Sequence, residues 1–321
     1  DIEIVGENET FESKKQINLP RFGTELISIS NTFKNIPNNF SGILKASQPK
    51  QPLFYGRLLG GQWNSSGEFS ANHTYYDFQN VEDYWKDNQP SKSYYPFFSE
   101  LINSIRIYPL SSPSELEIFV TPVLEDSTIL DEIFIDNLIS PSNKFIDKNL
   151  NSLFSNLKID LDKLSSYIVT AKVKNGKKPG RISLQVVYGK GSLESSINMT
   201  LYNPGTFVGN KKSFKWGQTV TSSKFETLVG ITTAPIDDPT KKIYECHVQF
   251  YDETGKIADR NWEIKSGTSK KFTISEELNL TINQNSVPHY VWCVIEGDPG
   301  ISFNAVTYNN KTNNCSGDHG F

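Results

Sequence analysis

Methionine is almost missing from this 321-residue chain, with Met199 the single copy. The chain starts at Asp1, and initiator trimming requires a small second residue. The expectation is therefore a precursor cut before Asp1, either by removal of an export signal or propeptide or by release from a polyprotein. Cysteine is nearly as scarce. Cys246, Cys293 and Cys315 allow at most one disulfide and one free thiol, and no CxxC or Cys/His spacing predicts zinc. Histidine occurs four times. No apolar run approaches the ~20 residues that span a bilayer, so no membrane insertion is expected. A surplus of positive charge is also missing. With 32 basic and 36 acidic residues the net charge is −4, which excludes the footprint of a nucleic-acid binder. The short basic clusters 174–178 and 211–215 read as solvated hairpin tips.

The familiar catalytic and cofactor signatures are missing too. The Gly205 to Lys211 stretch has the wrong spacing for a phosphate loop, and Asp160-Leu161-Asp162 lacks the Gly and Glu of a calcium loop. There is no Gly-x-Ser-x-Gly elbow and no His-Glu-x-x-His. No cofactor and no metal are predicted.

What is present points to β-structure. Aromatics make up 12% of the chain while hydrophobics as a whole reach only 36%, so the core must lean on large rings. Asn, Ser and Thr are abundant, and they favour turns and short strands over helices. Short alternating runs cover residues 26–30, 42–46, 53–58, 69–76, 105–110 and 116–120. After a break they resume at 167–173, 182–188, 197–202, 214–220, 228–232, 243–251, 262–265, 272–274, 290–295 and 301–308. Breaks such as Asn203-Pro204-Gly205, Asp252-Glu253-Thr254-Gly255 and Asp298-Pro299-Gly300 supply turns. Between 140 and 164 the period becomes helical, with Ser140-Pro141 as cap and first turn, then Phe145, Ile146, Leu150, Leu153, Phe154 and Leu157.

The fold expected is all-β: two β-sandwich, jelly-roll-like domains with a short helical connector. The divisions are an N-terminal arm or added edge strand at 1–20, a first sandwich at 21–139, the connector at 140–165 and a second sandwich at 166–321. A helix inserted in one large domain is the competing arrangement. A faint echo lays residues 25–32 on 227–234. Another sets Ser66-Gly67-Glu68 before His73 beside Ser316-Gly317-Asp318 before His319, which hints at a duplicated sandwich.

The candidate site residues concentrate in one region. On a continuing strand, His73, Tyr75 and Asp77 share a face, where they could act as base, acid and orienting group, or hold a metal if another histidine joined them. Trp63, Tyr75, Tyr76, Tyr84, Trp85, Tyr94 and Tyr95 crowd the same stretch, and exposed rings of this kind stack on sugars. The tail Cys315–Phe321 reads as docked, with Phe321 buried and Asp318 and His319 near a sheet edge, where His319 is expected to form a shared site with His73. The ligand-binding set expected is Trp63, Glu68, His73, Tyr75, Tyr76, Asp77, Tyr84, Trp85 and His319. Eight Asn-x-Ser/Thr sequons, at Asn8, Asn39, Asn64, Asn72, Asn198, Asn279, Asn310 and Asn314, suit an exported chain.

The function expected is non-catalytic recognition, extracellular or at a cell or virion surface, with glycans as partner through the aromatic region around Trp63–Tyr95. The alternatives are a self-associating coat or surface-layer subunit and, third, a glycan-active enzyme using His73, Tyr75 and Asp77.

Overall fold

A computed structural model describes residues 1–6, 14–19, 23–33, 36–37, 40, 42–47, 59–73, 89–107, 114–139, 145–176, 178, 182–282 and 287–320. The protein is built almost entirely from antiparallel sheets. At the N-terminus, β1 (Ile2–Gly6), β2 (Lys14–Lys15) and β3 (Gly42–Ala46) form a small sheet in the order β2-β1-β3. The opening residues are thus a central strand rather than an arm or an edge, because Ile2 and Ile4 bury beside Phe33. Residues 26–30 form no strand: Ser28 caps the one-turn helix α1 (Ile29–Thr32) by accepting from the Asn31 amide. The hairpin β4 (Leu59–Trp63) and β5 (Phe69–His73) follows. Residues 51–58 and 74–76 lie outside the described residues.

Eight strands make the first sandwich: β6 (Ser91–Pro96), β7 (Ile102–Ile107), β8 (Ser114–Leu124), β9 (Ile133–Ile139), β10 (Ile146–Asn149), β11 (Leu164–Gly176), β12 (Ile182–Gly189) and β13 (Glu194–Leu201). The sheet β6-β11-β8-β9 shares one core with β10-β7-β12-β13, through Tyr95, Phe97, Ile107, Ile118, Val169 and Val186. Eight more make the second: β14 (Ser213–Thr221), β15 (Phe225–Thr233), β16 (Ile243–Asp252), β17 (Gly255–Lys265), β18 (Ser269–Thr273), β19 (His289–Gly297), β20 (Ile301–Asn309) and β21 (Cys315–His319). There β14-β19-β16-β17 and β18-β15-β20-β21 enclose Val229, Ile231, Val248, Phe250, Ile295 and Phe303.

Counted from its own first strand, each unit has the same pair of sheets, 1-6-3-4 and 5-2-7-8. In each, a short helix follows the fifth strand directly: α2 (Leu150–Asn156) capped by Asn149, and α3 (Ile274–Glu277) capped by Thr273. The topology is repeated, but along a different register from the sequence echo. Residues 25–28 form no strand, while Thr227–Thr233 belongs to β15.

The sheets divide later in the chain than expected. Strand β11 pairs with β6 and β8, β12 pairs with β7, and β13 adds to β12, so residues 166–201 belong to the first sandwich. The segment at 140–165 does not connect the two units. Its apolar residues serve two purposes, since Phe145 and Ile146 enter or flank a strand, and among the described residues the helical ones are 150–156 and a single 3-10 turn at Leu161–Lys163.

The two units are packed together. Leu228, Val306 and Cys315 of the second enter the first core. Lys271 Nζ donates to the Phe97 carbonyl at 3.1 Å and the Leu164 carbonyl at 2.8 Å, and the Ser269 amide donates to Ser165 Oγ at 2.8 Å. Lys178, expected in a solvated tip, is buried and donates to the Gln89 carbonyl.

All three cysteines are reduced and buried. Cys246 and Cys293 lie on adjacent strands, but Cys246 faces Gly297 and Cys293 faces Phe250. That four-residue offset is about 13 Å along the strand, well past disulfide reach. Among the described residues no helix is long and apolar enough to cross a membrane.

Candidate functional site

The hairpin β4–β5 is held to the body by side chains that satisfy β13. Ser70 Oγ and Gln62 Nε2 donate to the Glu194 carbonyl at 2.9 and 3.3 Å, and Asn72 Nδ2 donates to the Ser196 carbonyl at 2.6 Å. In return, Asn198 Nδ2 on β13 donates to the His73 carbonyl. The hairpin therefore lies along the edge strand of the first sandwich without joining its ladder.

Its turn is locked by Glu68. Asn64 Oδ1 accepts the Ser66 and Glu68 amides, each at 3.0 Å, which shapes the turn, and Gly67 takes the positive φ of 77°. The Glu68 carboxylate then accepts from Asn64 Nδ2 at 2.9 Å, Asn309 Nδ2 at 2.7 Å, Thr312 Oγ1 at 2.8 Å and Asn314 Nδ2. The Asn64 amide, with Thr312, Asn314 and Asn309 adding to it, holds the Glu68 carboxyl below its ordinary 4.5. Glu68 is a clasp between the hairpin and the β20–β21 turn, with both oxygens engaged inside the protein.

At the far end of the hairpin, β5 delivers His73 to β21. The last strand is docked at the edge of its sheet, with Cys315, Gly317 and His319 on one face. Cys315 buries in the first core, and a Cβ on Gly317 would stand 2.6 Å from Ser195 Oγ. Only glycine lets β21 come this close to β13. His319 Nε2 lies 3.3 Å from His73 Nε2, with the rings edge to face at 85°. His319 Nδ1 is 3.0 Å from the Gly320 carbonyl, and Asp318 Oδ1 is 4.0 Å from His319 Nε2.

The remaining expected residues divide into two groups. Tyr75, Tyr76, Asp77, Tyr84 and Trp85 lie outside the described residues, as does Phe321. Trp63 is exposed and stacks on Phe69 with centroids 4.4 Å apart. Tyr94 and Tyr95 are core residues, 6% and 0% exposed, so they leave the surface aromatic set.

A second surface went unmarked in the sequence. The outer face of sheet β14-β19-β16-β17 carries Phe214 and Trp216 on β14 beside Tyr290 and Trp292 on β19, exposed by 60%, 39%, 53% and 40%. The Trp216 and Trp292 rings are 5.4 Å apart at 45°. The neighbouring strand continues the face with Glu245, His247, Gln249 and Tyr251. The alternating periodicity of both strands was readable. Which alternate faced out was not, because in β14 the inward set is Gly217, Thr219 and Thr221, less apolar than the outward one.

No family model matches the chain, and no curated protein matches it.

Proposed function

We propose that the protein is a recognition module that binds carbohydrate across the open face of sheet β14-β19-β16-β17. The observation that carries this reading is the group Phe214, Trp216, Tyr290 and Trp292, exposed together on one face of a sheet. Sugar rings present C–H faces that pack on aromatic rings, and their hydroxyls require acceptors and donors alongside. Gln218, Gln249, Glu245 and Glu296 stand on the same face in that position, with Tyr251 Oη donating to Gln249 Oε1 at 3.1 Å. A rigid strand pair presents the rings without ordering cost, which favours affinity. The region 74–88 supplies further Tyr and Trp side chains to the same class of ligand in this reading, as does the Trp63–Phe69 stack.

A glycan array read with the wild-type chain and with Trp216→Ala/Trp292→Ala tests it. Binding to a defined glycan class, weakened at least tenfold in the double variant, is expected, since one aromatic contact contributes ~0.5–1.5 kcal/mol beyond its buried area. Silence across diverse glycans, with light scattering that shows large assemblies dispersed by the same substitutions, would favour a self-associating coat subunit instead.

A further inference from the structure

The two histidines brought together from opposite ends of the chain have the geometry of a metal site. We propose that His73, His319 and Asp318 bind a zinc-type divalent transition metal that staples the β4–β5 hairpin to β21. The first argument is spacing. Two imidazole nitrogens each about 2.0–2.1 Å from a tetrahedral zinc stand about 3.3–3.4 Å apart. The His73 and His319 Nε2 atoms are 3.3 Å apart.

The second argument is protonation. A carbonyl can only accept, so the 3.0 Å contact from His319 Nδ1 to the Gly320 carbonyl places the proton on Nδ1. The His319 Nε2 lone pair then points toward His73, as a ligand's must. This is the outer-shell support that fixes tautomer and ring orientation in histidine metal sites. The third argument is the donor set. The His73, His319 and Asp318 ligand atoms all lie within 4.8 Å of one another. Imidazole with one carboxylate suits zinc and its neighbours rather than magnesium or calcium, and three protein ligands leave a fourth position for solvent.

The surrounding seam is polar and short of partners. Asn304, directly opposite His319 in the β20–β21 ladder, is fully buried, and its Oδ1 has no hydrogen-bond partner among the described residues. Among the described residues the buried atoms Asn72 Oδ1, next to His73 in sequence, and Ser195 Oγ, which faces Gly317, also lack a partner. The other carboxylate–histidine group, Asp252, Glu253 and His289, is different. It has one imidazole, and Asp252 is already occupied by Thr254 and by His289 at 3.0 Å.

The experiment is calorimetry of the chelator-treated full chain with Zn²⁺, paired with the visible spectrum of the Co²⁺ form. One equivalent should bind, with a tetrahedral cobalt spectrum. His319→Ala and His73→Gln should each weaken Zn²⁺ at least tenfold and abolish that spectrum, Asp318→Asn should weaken it less, and His289→Ala should leave it unchanged. Far-UV dichroism and the melting temperature without metal establish that each variant is folded. If a histidine variant does not fold, Asp318→Asn and the wild-type cobalt spectrum decide. Absence of stoichiometric binding in the wild type, binding indifferent to His73 and His319, or binding lost with His289→Ala would each overturn the proposal.

Discussion

Gly230 on β15 lies against Pro96 at the end of β6. A Cβ added to it would stand 2.6 Å from Pro96 Cβ and 3.1 Å from the Phe98 ring. The second sandwich therefore docks on the first through a position where only a hydrogen fits, beside Leu228 and Val306, which enter the first core. Neither Pro96 nor the fully buried Phe98 has a flexible end that can move aside. Gly230→Ala should destabilise the protein by about 1–3 kcal/mol, the usual cost of overpacking a core. The expected reading is a melting temperature lower by several degrees with a single, still cooperative transition. An unchanged melting temperature would show that the two sandwiches are less tightly fitted than the structure states.

The sequons give a second expectation. Among the described residues five of their asparagines have their amides committed: Asn64 and Asn314 to Glu68, Asn72 to Ser196, Asn198 to the His73 carbonyl, and Asn310 to the Ser222 and Ser223 carbonyls. A glycan on any of these replaces one of the two amide hydrogens beside its acceptor and must displace packed neighbours. Asn279 is exposed, at φ 51°, just past α3. Expressed through a glycosylating secretory route, the chain should carry glycan at Asn279 and none at Asn72, Asn198 or Asn314. Peptide mass mapping reads this directly, and occupancy at Asn198 would contradict the hairpin's seat on β13.

The cysteines give a third. Burial pushes the Cys246 and Cys293 thiols up to about 12, and the Cys315 thiol up to about 11. The thiolate is the reactive form, and at pH 8 almost none is present. A colorimetric thiol reagent should therefore find no fast-reacting group in the native chain and three after denaturation. One rapidly reacting thiol in the native state would mean that a core strand opens.

Much of this architecture was legible because alternation and turn chemistry are local. Asp252-Glu253-Thr254-Gly255 is a hairpin turn with Gly255 at φ 119°, and Gly205 and Gly300 also sit at positive φ after their prolines. The division of the sandwiches was not legible. Strand pairing is long-range, and the helical spacing of Phe145, Ile146 and Leu150 also serves a four-residue strand followed by one short helix. The strands 91–96 and 133–139 escaped for different reasons: the first ends in Pro96, and the second alternates weakly, with one buried residue, Leu138. The meeting of His73 and His319 was only hinted at by their Ser-Gly-acid contexts. The physical cause lies elsewhere, in Gly317 and in the amides of Asn72 and Asn198, whose roles no local pattern reveals. The aromatic face was hidden by the opposite problem, since Trp216 and Trp292 look like core residues, while Gly217, Thr219 and Thr221 of β14 and Val291, Cys293 and Ile295 of β19 in fact turn inward.

The Glu68 clasp sets the last expectation, a pH dependence with a definite sign. Its carboxylate is held below the ordinary 4.5, chiefly by the Asn64 amide and then by Thr312, Asn314 and Asn309. A carboxyl with a folded value below its unfolded one contributes stability that is complete above the unfolded value and is lost as pH falls through the folded one. In the window below about 4.5 the unfolded chain takes up the proton first, so the attachment of the hairpin to the β20–β21 turn weakens with acid. Glu68→Gln mimics the protonated group. It leaves one accepting oxygen for the four donors and turns an amide N–H₂ toward Asn309 or Asn314. The variant should melt below the wild type near neutral pH, and the gap should close as both are acidified below 4.5. Limited proteolysis supplies the local readout, because cleavage within β4–β5 should accelerate in the variant at neutral pH and in the wild type only in acid. A gap in melting temperature that stays constant across the same range would show that Glu68 acts through packing alone, with no contribution from its charge.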